Sequence, residues 1–200
     1  MNCKIAGGRT VGQSRGNLLR RRGYHKELNQ IRISTRHIGA AGELLVQYKL
    51  VKYGVDSSRM TTDSGIDLVV YSDKGGKALT IQVKSKRQPV LSGGKGVKGL
   101  GWFLRDNSPA DIIAVTDRAT DRAWLFTMHE FRELAQQHSN NGMLQLYMYV
   151  ESPARTKHQR VHVSDFDNYL LESKVHELFF DEATSTQASQ LTRSGRIKEI

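Results

Sequence analysis

Residues 64–86 read SGIDLVVYSDKGGKALTIQVKSK, and no other stretch limits the fold as tightly. Two runs rich in Val, Ile and Leu flank the paired glycines Gly75 and Gly76, which tolerate positive φ; this is the pattern of a β-hairpin. In the second run Leu79, Ile81 and Val83 alternate with Thr80, Gln82 and Lys84, so Gln82 and Lys84 share one face. A turn centred on the two glycines sets Asp67 opposite Val83 or Lys84. A carboxylate, an amide and an ammonium therefore meet at one end of one hairpin. If that end is enclosed, such groups are costly unless they satisfy each other or a cation. A hard divalent ion would take oxygen ligands from Asp67, the Gln82 amide and the backbone carbonyl of Val83. The Lys84 ammonium could then orient or deprotonate an attacking water and offset phosphate charge. The plain alternative is a cross-strand ion pair on a solvated face, contributing at most about 1 kcal/mol.

The elements around the hairpin follow from periodicity. Residues 36–54, RHIGAAGELLVQYKLVKYG, lack proline and end in glycine, which predicts a helix with a C-terminal stop. Ala41, Leu44, Leu45, Tyr48 and Val51 form its apolar stripe, and Val46 and Leu50 add apolar groups on the other side. DIIAVTD (111–117) and RAWLFT (122–127) predict a second strand pair. Thr127 with Glu130 is a capping box opening a short helix over HEFRELAQQ. MLQLYMYVE (143–151) and QRVHV (159–163) predict a third pairing. Ser164 with Asp167 then starts a helix through Phe166, Tyr169, Leu170, Val175 and Leu178. The polar end, residues 181–200, is expected to be disordered.

Charge is lopsided. The chain carries 30 Lys+Arg against 20 Asp+Glu, a net +10. Residues 1–37 hold nine basic residues and the single acid Glu27, which is +8 of that total. Arg20, Arg21, Arg22 and Lys26 crowd its middle. Such a basic arm binds phosphate backbones through counterion release without reading sequence, although a solvated tail or an Arg-rich transit peptide has the same composition. A second run, from Lys84 to Arg105, has six basic residues and no acid. Its middle, SGGKGVKGLGWF, is rich enough in glycine to predict a loop. Lys86, Arg87, Lys95 and Lys98 are its candidate phosphate contacts, with Trp102 or Phe103 anchoring the far end.

Other chemistries find no support. A single cysteine, Cys3, excludes an intrachain disulfide and a cysteine metal cage. The seven histidines show no HExxH or HxH spacing, so zinc is not expected. There is no GxSxG, and the glycine loop lacks the Gly-Lys-Ser/Thr of a phosphate-binding loop. No apolar stretch is long enough for a membrane span, and no apolar run of the secretory kind is present.

SGIDLVV, a glycine turn and IQVKS together resemble the PD-(D/E)xK nuclease superfamily, with Gln82-Val83-Lys84 in place of the acid-x-lysine triplet. This Q-x-K form is similar to Mrr-type restriction endonucleases and some homing endonucleases. GELLVQYKL is similar to the superfamily's first-helix motif and contributes Glu43, while ADIIAVTD resembles the strand that follows the lysine. The resemblance covers residues 36–130 and lacks the proline before the aspartate and an assured second carboxylate. It implies an α/β, restriction-endonuclease-like core, a central mixed β-sheet flanked by helices. It also implies a catalytic set of Glu43, Asp67, Gln82 and Lys84. Mg²⁺, with Mn²⁺ as substitute, would be held by Asp67, Gln82, the Val83 carbonyl and, as a further option, Glu43. The expected organisation is a basic arm over 1–35, a nuclease domain over 36–180 and a polar tail over 181–200. The expected partners are double-stranded DNA and further copies of the chain, as a homodimer or higher homo-oligomer, in the cytoplasm or on the nucleoid. A non-catalytic nucleic-acid-binding or assembly module and an RNA-processing nuclease stay open as alternatives.

Overall fold

The computed structural model describes residues 33–62, 64–71, 78–91, 96–151 and 161–180. The described elements belong to the compact unit that begins at Thr35. The calls on Arg20, Arg21, Arg22, Lys26, Lys95, the hairpin turn and the C-terminal tail lie outside the described residues.

Helix α1 spans Thr35–Lys52. Gly54 ends it with φ +74°. The Gly54 N–H donates to the Val51 carbonyl and the Val55 N–H to the Leu50 carbonyl, the paired bonds of a Schellman stop. Its buried line is Gly42, Val46 and Leu50, which corrects the expected stripe. Leu44, Tyr48 and Val51 are more than half exposed. The reason lies at Gly42: a Cβ there would sit 2.6 Å from Ser85 Cβ. The helix docks through a position with no side chain, and a count of apolar residues cannot register such a position.

Strands β1 (Asp56–Arg59), β2 (Leu68–Tyr71), β3 (Leu79–Lys86), β4 (Val90–Leu91), β5 (Lys98–Arg105), β6 (Ile112–Asp117) and β7 (Arg122–Thr127) follow. Helix α2 (Met128–Leu134), strands β8 (Gln137–His138) and β9 (Met143–Tyr149), a 3₁₀ helix (Val163–Tyr169) and α3 (Leu171–Phe179) complete the unit. The central five-stranded sheet runs β1-β2-β3-β6-β7. It is mixed: β3 and β6 are parallel and the other neighbours antiparallel. This is the α/β architecture expected, a mixed sheet flanked by helices.

One face of this sheet takes α1 and α3. Val46, Leu50, Leu171 and Val175 pack there on Leu68, Ile81, Ile112, Ala114 and Leu125. The other face takes a second sheet, ordered β4-β5-β9-β8. Leu100, Trp102, Leu104, Leu146 and Met148 meet Ile113, Val115, Trp124 and Phe126 in that layer. Lys174 of α3 is buried beside α2, with Glu130 and Glu177 each 2.7 Å from its ammonium.

Several expectations are corrected. Residues 98–105 form a strand, and Trp102 is core. Strand β9 pairs with β5 along its length, and the 159–163 segment contributes only the bridge of Tyr149 to His162 among the described residues. The helix after Thr127 has the expected capping box but stops at Leu134, because Gln137 and His138 join β9. The last helix is two pieces. His162 and Asp165 cap the first, and Leu170, at ψ 141°, separates them.

Candidate active site

The hairpin register decides what Asp67 can reach. Leu68 pairs with Ile81, so Asp67 falls opposite Gln82, one position short of the expected Val83 or Lys84. Alternation settles the face. Leu68, Val70, Ile81 and Val83 pack in the helix-side core, so Gln82 and Lys84 lie together on the opposite face, and Asp67 meets them at the strand margin, where β2 has ended.

Strand β2 begins only at Leu68, so β3 runs on past its partner. The Asp67 side chain fills part of the gap: its Oδ2 accepts the Val83 N–H at 2.6 Å. In an extended strand the N–H and C=O of one residue point to the same side. The Val83 carbonyl therefore faces Asp67 rather than β6. The aspartate is fixed on both flanks by backbone bonds, from its own N–H to Ile81 O and from the Met60 N–H to its carbonyl, each 2.9 Å.

Gln82 is half-buried between two loops. Its Oε1 accepts from Ser108 Oγ at 2.9 Å. On the other side stands Gly65, at φ +80°, where a Cβ would lie 3.7 Å from Gln82 Nε2 and 3.3 Å from the Pro109 ring. Below it, Asp111 Oδ2 accepts from both the N–H and the hydroxyl of Thr80, on the same face of β3. Lys84 is half-buried and has no hydrogen-bond or ion-pair partner among the described residues. Lys86, next along that face, holds its ammonium 5.9 Å from the ring centre of Phe103.

Glu43 is held by Arg59. Both Nε and Nη2 of Arg59 donate to its Oε2, at 3.0 and 2.5 Å. Arg59 pairs across the ladder with Leu68, so this ion pair adjoins the strand end that carries Asp67. Among the described residues no cluster of three or more His, Cys, Asp or Glu could hold a metal ion. The oxygens the group offers are one carboxylate, one amide and one backbone carbonyl. That set suits a single hard divalent ion that keeps several of its waters. Each engaged oxygen retains a lone pair for it.

Of the remaining candidates, Arg87 is exposed just beyond β3. Lys98 opens β5 and lies 3.4 Å from Glu151, both well exposed. Sequence reasoning missed Ser108, Arg59 and Asp111. Only the turn-forming Asn107-Ser108-Pro109 run hinted that a loop closes over the hairpin.

The topology is a mixed sheet in which an antiparallel hairpin leads into a parallel pair, within an α/β core. Its similarity is to the solved structure of a bacterial homing endonuclease, I-Ssp6803I, at a TM-score of 0.50 and 17% identity, covering 77% of this chain and 99% of that one. The likeness is one of fold. No protein-family model matches the sequence, and no curated protein matches it either.

Proposed function

We propose that the chain is a divalent-metal-dependent endodeoxyribonuclease whose site is Asp67, Gln82, the Val83 carbonyl and Lys84. One observation carries the reading: where β2 ends, the Asp67 carboxylate and the Val83 backbone meet beside Gln82, with Lys84, whose side chain has no partner among the described residues, next on the face of Gln82. The fold shared with a homing endonuclease supports it.

Asp67, Gln82 and the Val83 carbonyl would hold Mg²⁺ or Mn²⁺, which when bound supplies Lewis-acid stabilisation of a scissile phosphate and acidifies a bound water. The Val83 N–H keeps Asp67 in place. Ser108 fixes the Gln82 amide. Lys84 orients the water that attacks phosphorus and offsets charge on the phosphate as the bond to the leaving oxygen breaks. Lys86 and Arg87 take neighbouring phosphates along the strand. Glu43, held by Arg59, orients solvent at the edge of this group.

Asp67→Ala and Lys84→Ala should each reduce nicking of supercoiled plasmid in Mg²⁺ to background while leaving DNA binding within about threefold, since affinity rests mainly on the basic segments. Parent-like cleavage by both variants would overturn the assignment. A second reading, a binding module without catalysis, is favoured by the ion-paired Glu43 and by the lack, among the described residues, of a cluster of three or more His, Cys, Asp or Glu able to hold a metal. It predicts binding without nicking in Mg²⁺, Mn²⁺ or EDTA, on DNA and RNA alike.

A further inference from the structure

The outer face of the second sheet carries an aromatic surface that Lys86 of β3 reaches. On β5 the odd residues point outward, and Phe103 is 45% exposed. Tyr147 of β9 packs edge-on against it, with ring centres 6.3 Å apart. The tyrosine is held down on three sides. Its cross-strand partner is Gly101, and a Cβ at that glycine would fall 2.7 Å from the ring, so the ring covers bare backbone. Its hydroxyl donates to Gln145 Oε1 at 2.9 Å. Its backbone N–H and carbonyl are both bonded to the Gln136 side chain. Phe103 is thus an exposed ring braced by a fixed one.

What lies beside Phe103 indicates its ligand. The Lys86 ammonium sits 5.9 Å over the ring, on the same face of β3 as Gln82 and Lys84. Lys86 therefore links the strand that carries Gln82 and Lys84 to the Phe103–Tyr147 pair. The chain from Lys84 to Arg105 contains no acid, and Lys98 of that run pairs with Glu151, while the Lys86 ammonium beside the ring is paired with no carboxylate among the described residues. An aromatic ring next to an ammonium on a basic surface fits a nucleotide, base on ring and phosphate on ammonium. A second apolar protein surface would leave the lysine without a counter-charge.

We infer that Phe103, braced by Tyr147, stacks an unpaired nucleobase whose phosphate lies at Lys86. The phosphate's placement rests on the nuclease reading above. In an intact duplex the base faces are stacked on each other, so the platform selects bases exposed in a single strand, a bulge or an opened duplex.

The test is fluorescence anisotropy of the full chain in EDTA, with a labelled single strand, its fully paired duplex and a duplex bearing a short bulge. Phe103→Ala should weaken binding of the single strand and the bulged duplex by about tenfold or more, with the paired duplex changed less than about twofold. Phe103→Trp should restore affinity, and its emission should be quenched on binding. Log K against log salt should keep its slope in Phe103→Ala and lose about one unit in Lys86→Ala, because only the lysine contacts phosphate. Equal losses on all three probes, or none, would overturn the inference. So would an unchanged affinity accompanied by altered sedimentation in Phe103→Ala, which would mark the face as a contact between copies of the chain. Stacking without metal-dependent cleavage would remove the nuclease reading and leave the base platform at Phe103 standing.

Discussion

Helix α1 offers a controlled experiment on how the site-bearing strand is held. Gly39 and Gly42 both lie in its interior, one turn apart, yet their surroundings are opposite. A Cβ at Gly39 meets nothing within 4 Å, whereas one at Gly42 lies 2.6 Å from both Cβ and Oγ of Ser85 and 3.0 Å from Thr116 Oγ1. Glycine to alanine in a helix is intrinsically favourable by about 1 kcal/mol. Gly39→Ala should realise that gain. At Gly42 the same gain opposes overpacking of about 1–3 kcal/mol, and the clash falls on a Cβ anchored to strand backbone, which cannot rotate away. The helix must lift from β3, or β3 must shift with Gln82 and Lys84 on it. The two variants should therefore differ by about 1–3 kcal/mol, with Gly42→Ala the less stable. For a chain of this size that is a spread in Tm of roughly 2–12 °C, read by calorimetry or denaturant titration. Equal stabilisation by both substitutions would show that α1 does not dock on Ser85, and the placement of β3 would have to be redrawn.

Two further outcomes bear on the site and on the scaffold. Gln82→Glu should keep the contact with Ser108 and lower the Mg²⁺ concentration for half-maximal cleavage, because a carboxylate binds the ion more tightly; Gln82→Leu, with similar bulk and no oxygen, should lose most activity at any Mg²⁺ concentration, and parent-like cleavage by it would exclude Gln82 from the site. At Glu130, burial pushes the carboxyl pKa up, but hydrogen bonds from Lys174 and Thr127 and the lysine charge outweigh it and hold it below its ordinary value; Glu172 is lowered in the same way by Lys49. A depressed carboxylate contributes stability above its ordinary pKa of 4.5 that is lost as pH falls through the folded value. Thermal melts from pH 7 to 3 should thus show an acid limb that is shallower in Glu130→Gln, and parallel limbs would rule this network out as its source.

What could be read in advance depended on whether the signal was local. The strands Ile112–Asp117 and Arg122–Thr127 are uninterrupted apolar runs, and the Thr127–Glu130 cap spans three residues, so both were legible. The common face of Gln82 and Lys84 followed from alternation alone. Strand β5 was hidden because its glycines suggest a loop. In the folded chain Gly99 and Gly101 lie opposite Tyr149 and Tyr147, and those rings supply the packing the glycines lack. The pairing of β9 with β5 joins residues some forty positions apart, and the sequence held a nearer candidate in residues 159–163. Separation in sequence, 26 positions to Gln82 and 16 to Glu43, also hid Ser108 and Arg59 from the site. Each acts through a contact that only the closed sheet creates, and neither belongs to a short motif.

The edges of the two sheets bear on how such a protein stays dispersed in a crowded cell. A sheet margin with free N–H and C=O groups is a template on which other chains can polymerise. Here the outermost strand of the central sheet, β1, is Asp-Ser-Ser-Arg, with a charge at each end and no apolar residue to seed a zipper. The opposite margin, β7, is partly occupied by the bridge from Trp124 to Leu170. The second sheet ends on both sides in strands of two residues, β4 and β8, too brief to recruit an incoming strand. With margins that are charged, brief or partly covered, the molecule offers little edge for β-addition beside the aromatic rings it displays on a sheet face.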